Sequence, residues 1–401
     1  MRLRMVHLGK YADSAFLCAL IVAVAYGVFI LARLAIVGNP SAFILAGARY
    51  VNIAAAPRGL AVEHGAGYDG QFFYRLALNP FDTRQTAYGV RLDRPSYREQ
   101  RILYPLVVWL FSFGQAPLVP VMMILVNYLA LIALGYVFAR YVRLLGRHAL
   151  WGLVAPFYPG FVLSVARDLA EPLAGLLLVA SLYFVHRKRF TAATIALTLA
   201  ILTRETIVLV AGAALLLWLI GLIYQRYRQR HPGETPLAWL DAFAMPWFFS
   251  VIPLAVFVVW QGILLLIWKE TAFASGSGNL GVPFGGFAQL FGQAVLLKNR
   301  FERLHYVEQL FILIYVFFVG VSLRITQAPI FQRIAWCGFI ALSFCLTPLV
   351  WVDDWAFLRA LSDSFMLGAP ILLAGRLRYA APVFLFFGML WGFLALTRLF
   401  G

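Results

Sequence analysis

The chain has 401 residues, of which 63% are hydrophobic and only 12% are charged, and its formal net charge at pH 7 is +16. So little charge cannot cover the surface of a water-soluble protein of this length, which excludes a soluble globular enzyme. The basic residues stand in short clusters between apolar segments, as the positive-inside rule predicts for membrane proteins, and so they do not indicate a nucleic-acid partner.

Apolar segments recur along the whole chain at lengths near the roughly 20 residues that cross a bilayer. The sequence therefore predicts an all-α, polytopic integral membrane protein, with residues 1–401 forming a single transmembrane domain of about eleven helices. The basic N-terminus precedes an apolar run too long for a signal-peptide core, so the first span is expected to be retained. The predicted spans are 14–37, 118–139, 150–165, 173–186, 191–202, 207–224, 246–268, 306–323, 334–351, 364–374 and 380–396.

The segments between these spans predict a topology. Residues 38–101 form the first outer loop, and the apolar stretch 102–113 that follows is too short to cross the bilayer. With that stretch treated as non-crossing and the N-terminus placed in the cytoplasm, the basic clusters of the later loops all fall inside. A second outer loop is predicted at 269–305, with a Gly/Ser-rich hinge at 275–279. The inside clusters lie at 140–147, 187–189, 226–230, 324–333 and 376–378.

The first outer loop carries the main candidate for chemistry, Asp69. Gly67 and Gly70 flank it, and glycine lets a backbone turn sharply and approach a ligand. The apolar residues that follow recur with helical spacing as far as Asn79, which predicts a short interfacial helix with a polar face. Asp69 therefore either caps this helix or presents its carboxylate to a ligand.

Other polar residues expected on the outer side come from distant parts of the chain. Arg167 and Glu171 have the spacing of a local helical ion pair, and Asp168 has the position of a helix cap, so each has a structural alternative to ligand binding. The neighbours Arg204 and Glu205 have the same ambiguity, because they are able to pair with each other. A further group, with a solvated loop as its alternative, comprises Asp353, Asp354 and Arg359. Ionisable groups at a membrane interface are costly unless they are paired or functional, so their convergence predicts a site.

Motifs for metals and nucleotides are missing from the sequence. The histidines show no ligand spacing, and no HExxH, DxD, CxxC, Walker A or dinucleotide fingerprint occurs. No cofactor is therefore expected, and a divalent metal is not indicated.

Two stretches of the first outer loop carry a resemblance to a known family. The run Gly-Tyr-Asp-Gly-Gln-Phe-Phe-Tyr-Arg at 67–75, with Arg-Glu-Gln-Arg-Ile-Leu-Tyr-Pro at 98–105, resembles the GT-C superfamily of polytopic membrane glycosyltransferases. It is especially similar to bacterial relatives of the GPI mannosyltransferase type. The acidic element 168–172 and the run 203–205 are similar to further outer elements of that family. The stretch before Tyr104 is basic where the GPI type has an acidic residue, which leaves the sugar and the acceptor open.

The resemblance implies transfer of a sugar from a polyprenyl-phosphate-linked donor to a glycan, lipid or protein acceptor. The reaction would take place on the periplasmic or exterior side of the bacterial inner (plasma) membrane. Asp69 would act as general base, or would orient and polarise the acceptor hydroxyl. Arginine suits a leaving phosphate because its guanidinium binds phosphate through two N–H groups. The candidate phosphate ligands are Arg204 and Arg101, which abut apolar spans, followed by Arg167 and Arg359. The candidate substrate-binding residues are Tyr68, Gln71, Tyr74, Arg75, Arg98, Tyr104, Asp168, Glu171, Glu205, Asp353 and Asp354.

Two alternative functions remain open from the sequence. A transporter or flippase of lipids or polysaccharides would place charges near the middle of the membrane and often shows two matching halves with broken helices. The charges here lie at the ends of predicted spans, and no halves match. The second alternative is another envelope-lipid enzyme, such as a polymer ligase.

Overall fold

The computed structural model describes residues 13–230, 245–286, 300–375 and 379–400. Within these residues the chain is mainly helical. The basic N-terminal tail, part of the second predicted outer loop and the basic residues at 376–378 lie outside the described residues.

The helices and strands have the following bounds. In chain order the helices are α1 (Ala15–Val37), α2 (Gly70–Leu78), α3 (Pro95–Glu99), α4 (Leu103–Ser112), α5 (Val119–Leu144), α6 (Pro159–Ala166), α7 (Glu171–His186), α8 (Phe190–Thr203), α9 (Val208–Arg230), α10 (Phe248–Trp268), α11 (Ala272–Gly276), α12 (Arg300–Ser322), α13 (Ile330–Phe344), α14 (Pro348–Trp351), α15 (Asp354–Ala360), α16 (Ser362–Ala374) and α17 (Ala380–Thr397). Short 3₁₀ helices lie at Pro40–Ile44, Ala149–Val154, Glu205–Ile207 and Ser277–Asn279. The first loop contains two short two-stranded sheets. In one, β1 (Ala46–Gly47) pairs in parallel with β2 (Val62–Glu63), and in the other, β3 (Thr86–Ala87) pairs antiparallel with β4 (Val90–Arg91).

The long helices are those of a membrane protein. Six of the described helices, α1, α5, α9, α10, α12 and α17, are long and apolar enough to cross a bilayer. The pair α15–α16, which is bent by 50°, makes a seventh if it is one broken span. Shorter apolar helices, α4, α7, α8 and α13, have 10–17 residues. The predicted helical membrane protein is confirmed in this general form, whereas a count of about eleven spans stays a prediction.

Prolines divide two of the predicted spans. The span predicted at 150–165 is a 3₁₀ helix at Ala149–Val154 followed by α6, which begins at Pro159. The span predicted at 334–351 is divided between α13 and α14, and α14 begins at Pro348. Proline has no N–H and its ring clashes with the preceding turn, so in both cases it stands at the first position of the new helix.

The two short helices of the first loop have nearly the predicted bounds. The ten-residue α4 lies within the short apolar stretch predicted at 102–113, and α2 ends immediately before Asn79. The structure differs in one respect, because all nine residues of α2 are buried and no polar face is exposed. Helix α2 packs on α4 and α5, where Phe73 meets Tyr104 edge to face at 5.4 Å.

Residues that the predicted topology places on one side are in contact. At one end of the helices, Asp13 Oδ2 lies 3.6 Å from Arg143 Nε. At the other end, Arg398 Nη2 lies 2.5 Å from Asp354 Oδ2. The alternation of the spans between these two ends, and which end faces the cytoplasm, stay predictions.

Candidate active site

Two glycines place Asp69 against the turn between α6 and α7. Gly67 has a φ of +63°, and a Cβ there would lie 2.4 Å from the backbone nitrogen of Gly47. A Cβ on Gly70 would lie 2.4 Å from the carbonyl oxygen of Arg167. The close approach that glycine permits is therefore an approach of the first loop to its own chain, and it brings Asp69 next to residues about 100 positions later.

The Asp69 carboxylate lies between two arginines. Its Oδ1 is 2.9 Å from Arg98 Nη1, and its Oδ2 is 3.4 Å from Arg359 Nη2. The carboxylate accepts no capping hydrogen bond from α2, all of whose residues are described. The capping alternative is thus not adopted, and 26% of the Asp69 side chain remains exposed.

The surroundings of Asp69 favour its charged form. Burial alone would raise the pKa of this carboxyl, but the charges of Arg98, Arg359 and Arg101 outweigh burial and hold the pKa below its usual range. Asp69 therefore stays ionised at any ordinary pH, and it is a weak proton acceptor in the protein alone.

Behind Asp69 lies a buried network of alternating charges. Arg359 donates from Nε and Nη2 to Glu171 Oε1, at 3.0 and 2.7 Å. Arg204 Nη1 lies 3.5 Å from the same oxygen, and Arg204 Nε is 3.0 Å from Asp363 Oδ2. Thr206 donates to Asp363 Oδ2 at 2.7 Å. Because charges removed from water must be matched, these pairs hold the helix ends around Asp69 in fixed positions.

Two further arginines are held by two-point ion pairs. Arg101 donates from Nε and Nη2 to the two oxygens of Glu205, at 2.8 and 2.6 Å. Arg98 donates from Nε and Nη2 to Asp93 at 2.8 Å each, and its Nη1 faces Asp69. Such fork-like pairs fix the orientation of a guanidinium as well as its position.

The charges follow the polarity of the helices. The acidic Glu171 and Asp363 lie in the first turns of α7 and α16, where a carboxylate interacts favourably with the helix dipole. The basic Arg98 and Arg359 lie in the last turns of α3 and α15, and Arg204 directly follows α8. The bend between α15 and α16 thus supplies one cation and one carboxylate to the same cluster.

Arg167 differs from the other arginines of the site. Its guanidinium carbon lies 3.3 Å from the centre of the Trp355 ring and 4.2 Å from that of Tyr68. Over the part of the chain that the structure describes, the guanidinium makes no ion pair with a carboxylate within 4.0 Å and donates no hydrogen bond. Stacking on aromatic faces holds this cation in place and leaves its N–H groups for a ligand.

An apolar groove of about 350 Å³ adjoins the charged cluster. It is lined by Ile102, by Leu202 and by five residues of α10 between Ala255 and Ile263. Ile102 follows Arg101 directly, and Leu202 precedes Arg204 by two positions. One part of the groove lining therefore lies close in the chain to these two arginines.

Several of the predicted substrate-binding residues make contacts inside the protein. Gln71 bonds the backbone of Gly47 and Ala66. Arg75 is buried and donates to the carbonyls of Asp82 and Arg84. The structure does not bring these side chains, or those of Tyr74 and Tyr104, to Asp69. Tyr74 is 1% exposed, and the Tyr104 hydroxyl donates to the carbonyl of Met123.

The remaining predicted residues divide between the cluster and its edge. Asp353 caps α15 by accepting from the Trp355 N–H, and Asp354 pairs with Arg398. Asp168 has a φ of +49° and is fully buried, and its carboxylate has no hydrogen-bond partner among the described residues. The three do not touch Asp69.

Sequence reasoning missed Asp93 and Asp363, which complete the ion pairs of Arg98 and Arg204. A signal for Asp363 exists in the sequence, because it is an isolated acid at the start of an apolar segment. Ionisable groups in such positions are usually paired or functional. Asp93 carries no such signal.

Glu99 connects the first loop to α10. Trp268 Nε1 donates to Glu99 Oε2 at 2.7 Å, and Trp260 Nε1 donates to the Glu99 carbonyl at 3.3 Å. Burial raises the pKa of Glu99 to about 7, although the Trp268 hydrogen bond and the charge of Arg75 act in the opposite direction. Glu99 is therefore mainly protonated in the folded protein at mildly acidic pH.

We expect this proton to make stability depend on pH. The folded state binds it more tightly than the unfolded chain, whose pKa is near 4.5, so the contribution is full below that value and fades as the pH rises to about 7. Between pH 5 and pH 8 the wild type should lose about 2 kcal/mol more stability than Glu99→Gln. Thermal unfolding of both proteins in detergent at the two pH values measures the difference, and equal pH dependence in both would contradict the assignment.

We compared the sequence with known protein families and with curated proteins. No protein-family model matches the sequence, and no curated protein matches it significantly.

Proposed function

We propose that the protein is a membrane glycosyltransferase that moves a sugar from a polyprenyl-phosphate-linked donor to an acceptor hydroxyl on the outer side of the plasma membrane. The observation that carries the proposal is the partly exposed Asp69 carboxylate, held by Arg98 and Arg359 in an arginine-rich cluster beside an apolar groove. This combination suits a substrate with a lipid tail, a phosphate and a sugar.

The proposed reaction is a single displacement at the anomeric carbon. The acceptor oxygen forms a bond to that carbon while the bond from the carbon to the phosphate oxygen breaks, and its electron pair remains on the phosphate. The acceptor proton passes to Asp69 late in the step and then to solvent. Because the pKa of Asp69 is low, its main contribution is to orient and polarise the hydroxyl. Attack from the face opposite the phosphate inverts the configuration of the sugar.

The donor phosphate is proposed to bind where the groove meets the cluster. Arg101 and Arg204 adjoin the groove, and each keeps one terminal nitrogen, Nη1 of Arg101 and Nη2 of Arg204, for which no bond to a described residue is seen. Arg167 supplies a further cation with unused donors. Fixed guanidinium groups stabilise charge that develops on a leaving phosphate, because they need no reorganisation during the reaction.

The position of the charges supports an enzyme over a transporter. Glu171, Arg204, Arg359 and Asp363 all lie at or next to helix ends at one end of the bundle. A transporter is expected to place its binding site near the middle of the membrane between two repeats.

A strain that lacks the gene tests the proposal whichever sugar the protein transfers. Compared with its parent, the deletion strain should accumulate one lipid-linked sugar and lose one sugar from an envelope glycan, lipid or protein. Mass spectrometry of lipid extracts and released glycans measures both changes, and the wild-type gene on a plasmid should reverse them. Unchanged glycans together with unchanged pools of lipid-linked sugars would refute the proposed activity.

A further inference from the structure

A second cluster of ionisable side chains lies apart from Asp69. His305 and Glu308, one turn apart on α12, meet Asp354 at the start of α15. One ligand atom from each residue lies within 4.8 Å of the other two, and within the described residues this is the one such group of three metal-ligating side chains. Two carboxylates and an imidazole converging in this way form a suitable ligand set for a divalent ion.

Glu308 points independently to a ligand. The residue is 1% exposed, and neither Oε1 nor Oε2 has a hydrogen-bond partner among the residues that the structure describes. A carboxylate removed from water without a partner is strongly unfavourable, so the site needs a cation or a proton at Glu308. Neighbouring Asp354 and Asp353 add negative charge, which favours a cation.

The imidazole of His305 is oriented as a ligand. Its Nδ1 lies 3.0 Å from the carbonyl oxygen of Val352, so the neutral ring donates Nδ1–H to that carbonyl and leaves the lone pair on Nε2. Metal-binding histidines commonly have this second contact, which fixes the tautomer. Nε2 is 4.0 Å from Asp354 Oδ1, too far for a hydrogen bond. Ligands about 2.1 Å from one tetrahedral ion stand about 3.4 Å apart, so a side-chain shift of about 0.6 Å brings these two atoms to binding distance.

The second oxygen of Asp354 is held from the other side. Arg398 Nη2 lies 2.5 Å from Asp354 Oδ2, and the same guanidinium stacks on Trp355 at 4.7 Å from its ring centre. This contact orients the carboxylate and leaves Oδ1 directed at His305. Outer hydrogen bonds of this kind are a usual part of metal sites.

We propose that His305 Nε2, Glu308 and Asp354 bind a divalent first-row transition ion such as Zn²⁺ or Mn²⁺. The mixed nitrogen and oxygen ligands favour such an ion over Mg²⁺ or Ca²⁺, which prefer oxygen alone. The ion would join the start of α12 to α15, the helix that carries Arg359 and the Trp355 ring on which Arg167 stacks. The inference goes beyond the proposed sugar transfer and does not depend on it.

Metal binding by the purified full-length protein tests the site directly. Wild type, Glu308→Gln and the control Glu63→Gln, which removes an exposed carboxylate of the first loop, are stripped with a chelator, incubated with Zn²⁺ or Mn²⁺ and desalted. We expect about one ion per chain in the wild type and the control, a rise in Tm of about 5 °C on loading, and affinity at least about 100-fold weaker in Glu308→Gln.

Two outcomes would overturn the proposal. One is a wild type that binds neither ion stoichiometrically, in which case Glu308 is a buried protonated acid and Glu308→Gln should be at least as stable. The other is equal metal content in wild type and Glu308→Gln. If that variant does not fold, Co²⁺ bound to the wild type replaces it as a probe, because its visible spectrum changes with the number and kind of its ligands. Loss of this spectrum in His305→Phe supports the site, and an unchanged spectrum refutes it.

Discussion

Asp69→Asn is expected to lower sugar transfer by about 10²- to 10⁴-fold, the usual contribution of a positioned acid–base group. Asparagine keeps the size of the side chain but removes the negative charge and the proton acceptor. The variant should still fold, because Arg98 keeps its pair with Asp93 and Arg359 keeps its pair with Glu171. The measurement is loss of sugar from lipid-linked donors in membranes of the deletion strain, with Tm as the check on folding.

Glu63→Gln is the matched control for this experiment. Glu63 lies in the same loop, its side chain is exposed, and it makes no ion pair within 4.0 Å with a described residue. We expect its transfer rate to stay within about threefold of the wild type, in keeping with the small effects of most substitutions away from a site. Near-normal transfer by Asp69→Asn would remove Asp69 from the mechanism, and an equal loss in Glu63→Gln would indicate general damage to the loop.

Local patterns predicted the helices of the first loop well. The apolar spacing that continues from Asp69 as far as Asn79 predicted α2 within about one residue, and the short apolar stretch at 102–113 contains α4. These helices depend on residues within or next to them, so the local sequence is sufficient to predict them. The breaks at Pro159 and Pro348 were harder to predict, because neighbouring helices decide whether a proline bends a span or divides it.

The pairing of charges could not be derived in the same way. The local alternative for Arg167 was an ion pair with Glu171, four residues later, but Glu171 pairs with Arg359, and Arg167 stacks on Trp355. Likewise Arg204 does not pair with its neighbour Glu205, which holds Arg101. A local pair on an exposed helix contributes only about 0.2–0.5 kcal/mol, so tertiary contacts easily override it. The predicted topology indicated that these charged residues lie at the same end of the helices. It did not indicate which acid pairs with which arginine.

The proposed metal-binding cluster has a spacing that no simple sequence motif describes. His305 and Glu308 have the i, i+3 spacing of neighbours on a helix, but their third partner, Asp354, is 46 residues further along the chain than Glu308. The sequence does contain an indication of this site, because Glu308 is an acidic residue within an apolar helix of 19 residues. Such groups are functional candidates by default.

The buried network behind Asp69 gives the largest expected change in stability. Arg359→Met removes the closest partner of Glu171, whose side chain is 5% exposed, and leaves Arg204 at 3.5 Å as its nearest cation, beside the Ser164 hydroxyl that donates at 3.2 Å. Breaking a buried ion pair at one partner typically costs about 3–5 kcal/mol, because the other charge remains buried. The variant should also transfer sugar poorly, because Arg359 contacts Asp69. Unfolding of the purified protein in detergent measures the loss.

A double variant separates the charge from other effects of the substitution. In Arg359→Met/Glu171→Gln the uncompensated charge is gone, so the double variant should be more stable than Arg359→Met alone. The control is Arg143→Met, which breaks a pair with Asp13 whose two side chains are 50% and 36% exposed and should cost no more than about 1 kcal/mol. If the losses of Arg359→Met and Glu171→Gln simply add, the two side chains do not interact, and the cluster cannot be what holds α15 against Asp69.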